Sequence, residues 1–365
     1  MLLSTPPIEN VTARVFRIPT DAPEADGTIA WDHTTMVLVE ISAGGERGLG
    51  YTYAAAATVE IIQGVLADHL RGKSAMDIPA LWSAMVGAVR NLGWRGVCAN
   101  AISAIDTALW DLKAKLLGVP LFSLLGAARD SVPVYGSGGF TSYTDTRLQQ
   151  QLAGWVEDDG CRWVKMKIGS APAHDLLRVE TATRAIGSAT LFVDANGAYA
   201  RKQALQFAEA FADFGVSWFE EPVSSDDLEG LRLMRDRAPG GMEIAAGEYG
   251  YDYFYFRRMA EAGAVDVLQA DATRCGGITG FLQAAAIAEA FSLPISAHCA
   301  PALHLHVCCA VPGLRHQEWF YDHVRIEQAV FDGAPQARDG VIRPDPGRPG
   351  LGLEFKRADA ERLAA

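Results

Sequence analysis

Apolar and polar positions follow two rhythms along the chain. The first stretch opens on a strand-like run at residues 11–18. A second run follows at 36–41, and Gly44-Gly45 then makes a turn. From Thr58 to about Leu125 the spacing is helical, with Ala101, Ile105, Ala108, Leu109, Leu112 and Leu116 recurring at three and four. Pro120 and Gly126 punctuate its end. From Val132 onward, short apolar runs alternate with helical stretches. The runs are 132–135, 163–168, 191–193, 216–219, 243–246, 265–268, 293–297 and 315–319. Eight strands with helices between most of them predict a closed parallel barrel. An open doubly wound sheet alternates in the same way, but no Gly-rich phosphate fingerprint follows a first strand here. After Trp319 the chain is turn-rich (Pro335, Gly340, Pro344, Pro346, Gly347, Pro349, Gly350), as expected of a tail that wraps back over the fold.

Composition narrows the function more than the fold. The 365 residues accommodate a barrel of about 250 residues with something added. A formal net charge of −12 disfavours nucleic acid and anionic membranes, so a pocket for an anionic substrate has to be built locally. No apolar run is long enough to span a bilayer, and residues 1–7 do not read as a signal peptide. Cys98, Cys161, Cys275, Cys299, Cys308 and Cys309 lack paired metal or disulfide spacing and read as reduced core residues. A cytoplasmic protein is expected.

Barrel chemistry stands at the C-terminal ends of the strands. The run 163–168 reads Trp-Val-Lys-Met-Lys-Ile, and side chains alternate with period two. Val164, Met166 and Ile168 therefore share the face under the helices, and Lys165 and Lys167 share the inward face. Two ammonium groups at a barrel mouth repel unless anions lie nearby. Asp194, Glu220 and Glu248 end the next three runs. A lone carboxylate there usually caps the following helix. Three on neighbouring strands, about 4.8 Å apart, repel one another strongly, and a hard divalent cation with oxygen ligands offsets that cost. Mg²⁺ fits best. Asp271, His298 and Glu318 end the last three runs, and an Asp–His pair would fix the imidazole tautomer and favour its charged form. His304 and His306, two apart on a helical stretch, cannot face one ligand together and receive no role. Cys308-Cys309 reads as packing.

Lys-Met-Lys, Asp-Ala-Asn, Phe-Glu-Glu-Pro, Ala-Ala-Gly-Glu, the Asp271…Gly276-Gly277 stretch, His298 and Glu318 stand in the order and spacing of one family. The chain resembles the enolase superfamily, and within it the mandelate racemase subgroup. The resemblance covers nearly the whole chain, including Ala-Ile-Asp-Thr-Ala-Leu-Trp-Asp-Leu at 104–112 and Pro349-Gly350-Leu351-Gly352. It implies an α+β cap at 1–128, a modified (β/α)₇β barrel at 129–322, and a tail at 323–365 that returns to the cap. It implies that Asp194, Glu220 and Glu248 hold Mg²⁺. Lys167 would be one acid/base group, and His298, oriented by Asp271, the other, on the opposite face of the substrate. Lys165, Asn196 and Glu318 would contact the substrate carboxylate or hydroxyl. Relatives with two facing lysines would carry Lys where Asp271 stands, so this chain departs from them. A homo-oligomer is also implied.

The reaction expected is removal of the proton next to a carboxylate. General-base help contributes about 10²–10⁴-fold, so stabilisation of the enediolate charge has to supply the rest. Lys167 needs a lowered pKa for this, which Lys165 and the metal both favour. If a hydroxyl stands on the next carbon, His298 can expel it as water and leave a 2-keto-3-deoxy acid. If nothing leaves, reprotonation from the other face gives racemisation or epimerisation. Sugar-acid dehydration is the first reading and racemisation the second; a non-catalytic barrel that only binds is a third. Aldonic, aldaric and aromatic hydroxy acids all satisfy the site. Specificity is expected on cap loops at 22–33 and 51–57 (Trp31, His33, Tyr51, Tyr53), with Trp94 and Arg95 as further candidates.

Overall fold

The computed structural model describes residues 5–363, so residues 1–4 of the opening segment, and the outermost ends of the expected cap and tail, lie outside it. Three antiparallel strands, β1 (Asn10–Ala25), β2 (Ala30–Ala43) and β3 (Glu46–Tyr53), form the cap sheet. Along β2, Val37, Val39 and Ile41 pack with Ala101, Ile105, Ala108, Leu109 and Leu112 of the helix Val97–Leu116. Met36 and Leu38, on the other face, join the core that continues into the barrel. Both faces are covered, which is why residues 36–39 are apolar without alternation.

One expectation for this region needs correction. Residues 22–25, 30–33 and 51–53 are strand rather than loop: β1 and β2 continue outward to a tip at 26–29, and Tyr51–Tyr53 belong to β3. The stretch from 58 to 125 is helical as expected, in several pieces. It breaks into Ala57–Ile61, a π-turn at Ile62–Leu66, Ala67–Leu70, Ile78–Ala88, Val97–Leu116 and Leu121–Leu125. Gly96 and Gly118, at φ 71° and 68°, bound the longest piece, because a left-handed residue cannot continue a right-handed helix.

β3 escaped the pattern because Gly48 and Gly50 weaken a strand signal. Their reason is tertiary. A Cβ on Gly48 would lie 2.1 Å from the Ala108 carbonyl oxygen, and one on Gly50 2.1 Å from that of Ala104. The sheet therefore rests directly on helix backbone. Gly50→Val is expected to cost about 1–3 kcal/mol by overpacking, read as a lowered Tm; an unchanged Tm would mean that the helix yields freely.

The barrel strands are β4 (Val132–Gly138), β5 (Trp163–Lys167), β6 (Thr190–Asp194), β7 (Trp218–Glu220), β8 (Glu243–Ala246), β9 (Val267–Ala270), β10 (Ile295–Ala297) and β11 (Leu314–Phe320). Each pairs in parallel with the next, and β11 pairs with β4 to close the ring. One helix stands in each of the seven intervals, so the expected (β/α)₇β barrel with an α+β cap is the architecture found. Tyr135, Phe192, Trp218, Ala245 and Val267 form a floor inside the ring, with Phe192 and Trp218 stacked at 5.2 Å. The buried imidazole of His316 packs among these rings and bonds to Ser296. The tail pairs Val341–Ile342 with the start of β4. It then reaches the cap, where Phe355 meets Phe16 edge-on and Arg357 pairs with Glu40. No described helix is long and apolar enough to cross a membrane.

Candidate active site

Strand register lines up the first charged layer: Lys167 stands beside Asp194, and Asp194 beside Glu220. Val164, Met166 and Ile168 pack into the barrel–helix core, leaving Lys165 and Lys167 inside the ring. Lys165 is fully buried. Its Nζ donates to Glu220 at 2.5 Å and lies 2.9 Å from Glu318 and 3.4 Å from Asp194. Lys167 Nζ donates to Asp194 Oδ2 at 2.5 Å and to Asn196 Oδ1 at 3.1 Å. The ligand oxygens of Asp194, Glu220 and Glu248 lie within 4.8 Å of one another. Glu248 follows β8 after Gly247, and its Oε2 is buried without a hydrogen-bond donor. Burial, with Asp194 and Glu318 close by and only partly countered by Lys165, pushes the Glu220 carboxyl up to about 8. An orphaned carboxylate oxygen and a crowded carboxyl beside it are what a hard cation relieves, so the donor set fits Mg²⁺.

Asp271 and His298 stand just past β9 and β10. His298 Nδ1 donates to Asp271 Oδ2 at 2.8 Å, and Asp271 Oδ1 accepts from the Thr273 amide at 2.7 Å. Burial disfavours the imidazolium, but Glu248, Glu318 and the Asp271 bond outweigh it and raise the His298 pKa. Glu318 accepts from Ser137 at 2.6 Å through one oxygen and from the Cys299 amide at 2.9 Å through the other. Non-glycine residues with positive φ gather here: Asn196 (46°), Glu221 (39°), Cys299 (52°) and Ala300 (39°). Such backbone strain is held in place by its surroundings and clusters at working sites.

The electrostatics of Lys167 are set by the protein groups around it. Burial lowers its pKa and Lys165 pulls in the same direction, but Asp194 outweighs both and the pKa is raised. His304 also has a task. Its Nδ1 donates to Ala300 O at 3.0 Å and its Nε2 accepts from the Ala272 amide at 2.7 Å, which ties the loop carrying Asp271 to the one carrying His298. His306 faces elsewhere, bridging Phe122 and Leu351.

A cavity of about 220 Å³ opens above these groups. Lys167, Asn196, Glu248 and His298 line it from the barrel, and Trp31, His33 and Thr34 line it from the cap hairpin. Tyr51 and Tyr53 do not reach it. Tyr51 donates to Glu327 at 2.7 Å, and Tyr53 stacks on His323 at 3.5 Å. Trp94 packs on Trp82 and Arg95 pairs with Asp252, both away from the cavity. Arg274 was missed. It lines the cavity and reaches both Glu248 (3.4 Å) and Asp271 (3.5 Å). Its place three residues after Asp271 was the available signal.

Trp31 is held by Glu24, which accepts from its Nε1 at 2.8 Å. Burial, with Asp322 beside it, raises the Glu24 carboxyl from 4.5 to about 8. The fold prefers the neutral acid, so this contribution to stability is complete below pH 4.5 and is lost as pH rises through about 8. Glu24→Gln is expected to lose less Tm than the parent across that window. Parallel Tm–pH curves would contradict the assignment.

Residues 11–126 match the N-terminal domain of mandelate racemase / muconate lactonizing enzyme, and residues 147–360 match the enolase C-terminal domain-like family. The chain belongs to this enolase-like family. Among its relatives, L-talarate/galactarate dehydratase of Salmonella typhimurium is 33% identical over 84% of this chain and 77% of its own. A 3,6-anhydro-alpha-L-galactonate cycloisomerase of Streptomyces coelicolor is 32% identical over 96% and 98%. A mandelate racemase/muconate lactonizing enzyme-like protein from Rubrobacter xylanophilus superposes with a TM-score of 0.97 at 54% identity, covering 99% of this chain and all of that one. A racemase from Streptomyces coelicolor with bound magnesium gives 0.92 at 31% identity, covering 98% of this chain and 100% of its own. Dehydratases, cycloisomerases and racemases of this family are enzymes, and so is this chain.

Proposed function

We propose that the chain removes the proton next to the carboxylate of a sugar acid and eliminates water from the adjacent carbons, giving a 2-keto-3-deoxy acid. The observation that carries this is one cavity lined by both Lys167 and the Asp271-backed His298, with three carboxylates converging beneath it. Mg²⁺ on Asp194, Glu220 and Glu248 would stabilise the developing enediolate charge and would draw on the Asp194 oxygen that otherwise holds the Lys167 proton. Lys167 takes the α-proton. Lys165, held as a cation between Glu220 and Glu318, binds the substrate carboxylate, and Asn196 and Glu318 orient it. His298 gives its Nε2 proton to the leaving hydroxyl, the C–O bond breaks, and the enol product tautomerises to the keto acid.

Ring opening is a second reading, favoured by the near full-length match to a cycloisomerase. If the leaving oxygen is part of a ring, the same elimination yields an isomer and releases no water. Incubation with Mg²⁺ in D₂O against sugar acids and their cyclic forms, followed by proton NMR and mass measurement, separates the outcomes. A 3-deoxy signal with loss of water supports dehydration, and an isomer of unchanged mass supports ring opening. Exchange of the α-proton alone supports a racemase or epimerase. Unchanged spectra throughout would overturn the sugar-acid reading.

A further inference from the structure

The geometry points to a second metal site in the same cavity, distinct from the all-carboxylate set: a Zn²⁺-class site built from His298 Nε2, Cys299 Sγ and Glu318 Oε2. All three residues are buried, and His298 and Cys299 line the cavity. The nitrogen lies 3.2 Å from the sulfur, the sulfur 3.3 Å from the carboxylate oxygen, and the oxygen 3.7 Å from the nitrogen. Zn²⁺ bonds of about 2.1 Å to N and O and about 2.3 Å to S, at tetrahedral angles, demand edges of about 3.4–3.6 Å. The three atoms already form one face of such a tetrahedron. The fourth corner faces the cavity that His298 and Cys299 line, where a water or a small ligand would complete the coordination.

Two features prepare the donors. Asp271 holds Nδ1, so Nε2 is the nitrogen free to ligate, backed by a carboxylate as metal-bound imidazoles generally are. The left-handed backbone of Cys299 and Ala300 turns the thiol back towards His298 and Glu318. The donor chemistry separates the two sites, because oxygen-only ligands select Mg²⁺ whereas mixed N, S and O donors select a softer ion. Binding deprotonates the thiol and occupies the imidazole nitrogen. Zn²⁺ held here would therefore remove the proton donor assigned to His298, making the site inhibitory.

The test reads the metal directly and does not depend on the substrate. Full-length protein saturated with Mg²⁺ is titrated with Co²⁺ and then with Zn²⁺. A thiolate-to-cobalt charge-transfer band that Zn²⁺ displaces is expected, with one bound ion in addition to Mg²⁺. Cys299→Ser and Cys299→Ala should lose the band while keeping the Mg²⁺-induced rise in Tm, and His298→Gln should weaken Co²⁺ binding at least tenfold. Absence of a sulfur band, a band that survives in both Cys299 variants, or Co²⁺ uptake only by exchange with Mg²⁺ would each overturn the proposal. Failure of the sugar-acid reading would leave all of these readouts intact.

Discussion

His298→Asn is expected to abolish net elimination while the α-proton still exchanges with solvent through Lys167. Asparagine can occupy much of the imidazole's space but cannot deliver a proton. General acid catalysis is worth about 10²–10⁴-fold, and poor expulsion of hydroxide adds to the loss. The paired carboxylate makes the residue's role specific: with Asp271 on Nδ1, the other nitrogen faces the cavity as the donor. Proton NMR in D₂O on the variant measures both halves at once. Dehydration at the parental rate would remove His298 from the acid role. Loss of exchange together with elimination would mean that Lys167 cannot act alone.

Chelation is expected to reduce turnover to background, and Mg²⁺ to restore it. Asp194, Glu220 and Glu248 bring three carboxylates within 4.8 Å, and Lys165 and Lys167 offset only part of their repulsion. A bound cation also stabilises the folded chain by mass action, about 2.7 kcal/mol at a hundredfold excess over Kd, so Tm should climb with the logarithm of Mg²⁺ concentration. Glu220→Gln, which removes one ligand charge, should flatten that dependence and abolish turnover together. Activity in excess EDTA, or a Tm indifferent to Mg²⁺ in the parent, would contradict the metal assignment.

Much of the site was legible because strand chemistry is local. Period two puts Lys165 and Lys167 on one face, and parallel neighbours place Asp194 beside Lys167 and Glu220 beside Asp194. Arg274 and His304 were not legible in the same way. Arg274 matters because its side chain spans two strand ends, and His304 because a helix carries it under two loops distant in sequence. Lys167 needed distances as well: Asp194 at 2.5 Å outweighs burial and Lys165, a balance that a cation on Asp194 would alter.

Determined by sequence alone were the barrel, the order of its charged strand ends and the convergence of three carboxylates, since each follows from hydrophobic period and parallel register. Tertiary structure alone decided why β3 carries Gly48 and Gly50 and which cap residues reach the cavity. Those depend on distances between segments far apart in the chain. A backbone oxygen 2.1 Å from an absent Cβ, or an indole held over the cavity by a buried carboxyl, leaves no periodic trace in the residues that create it.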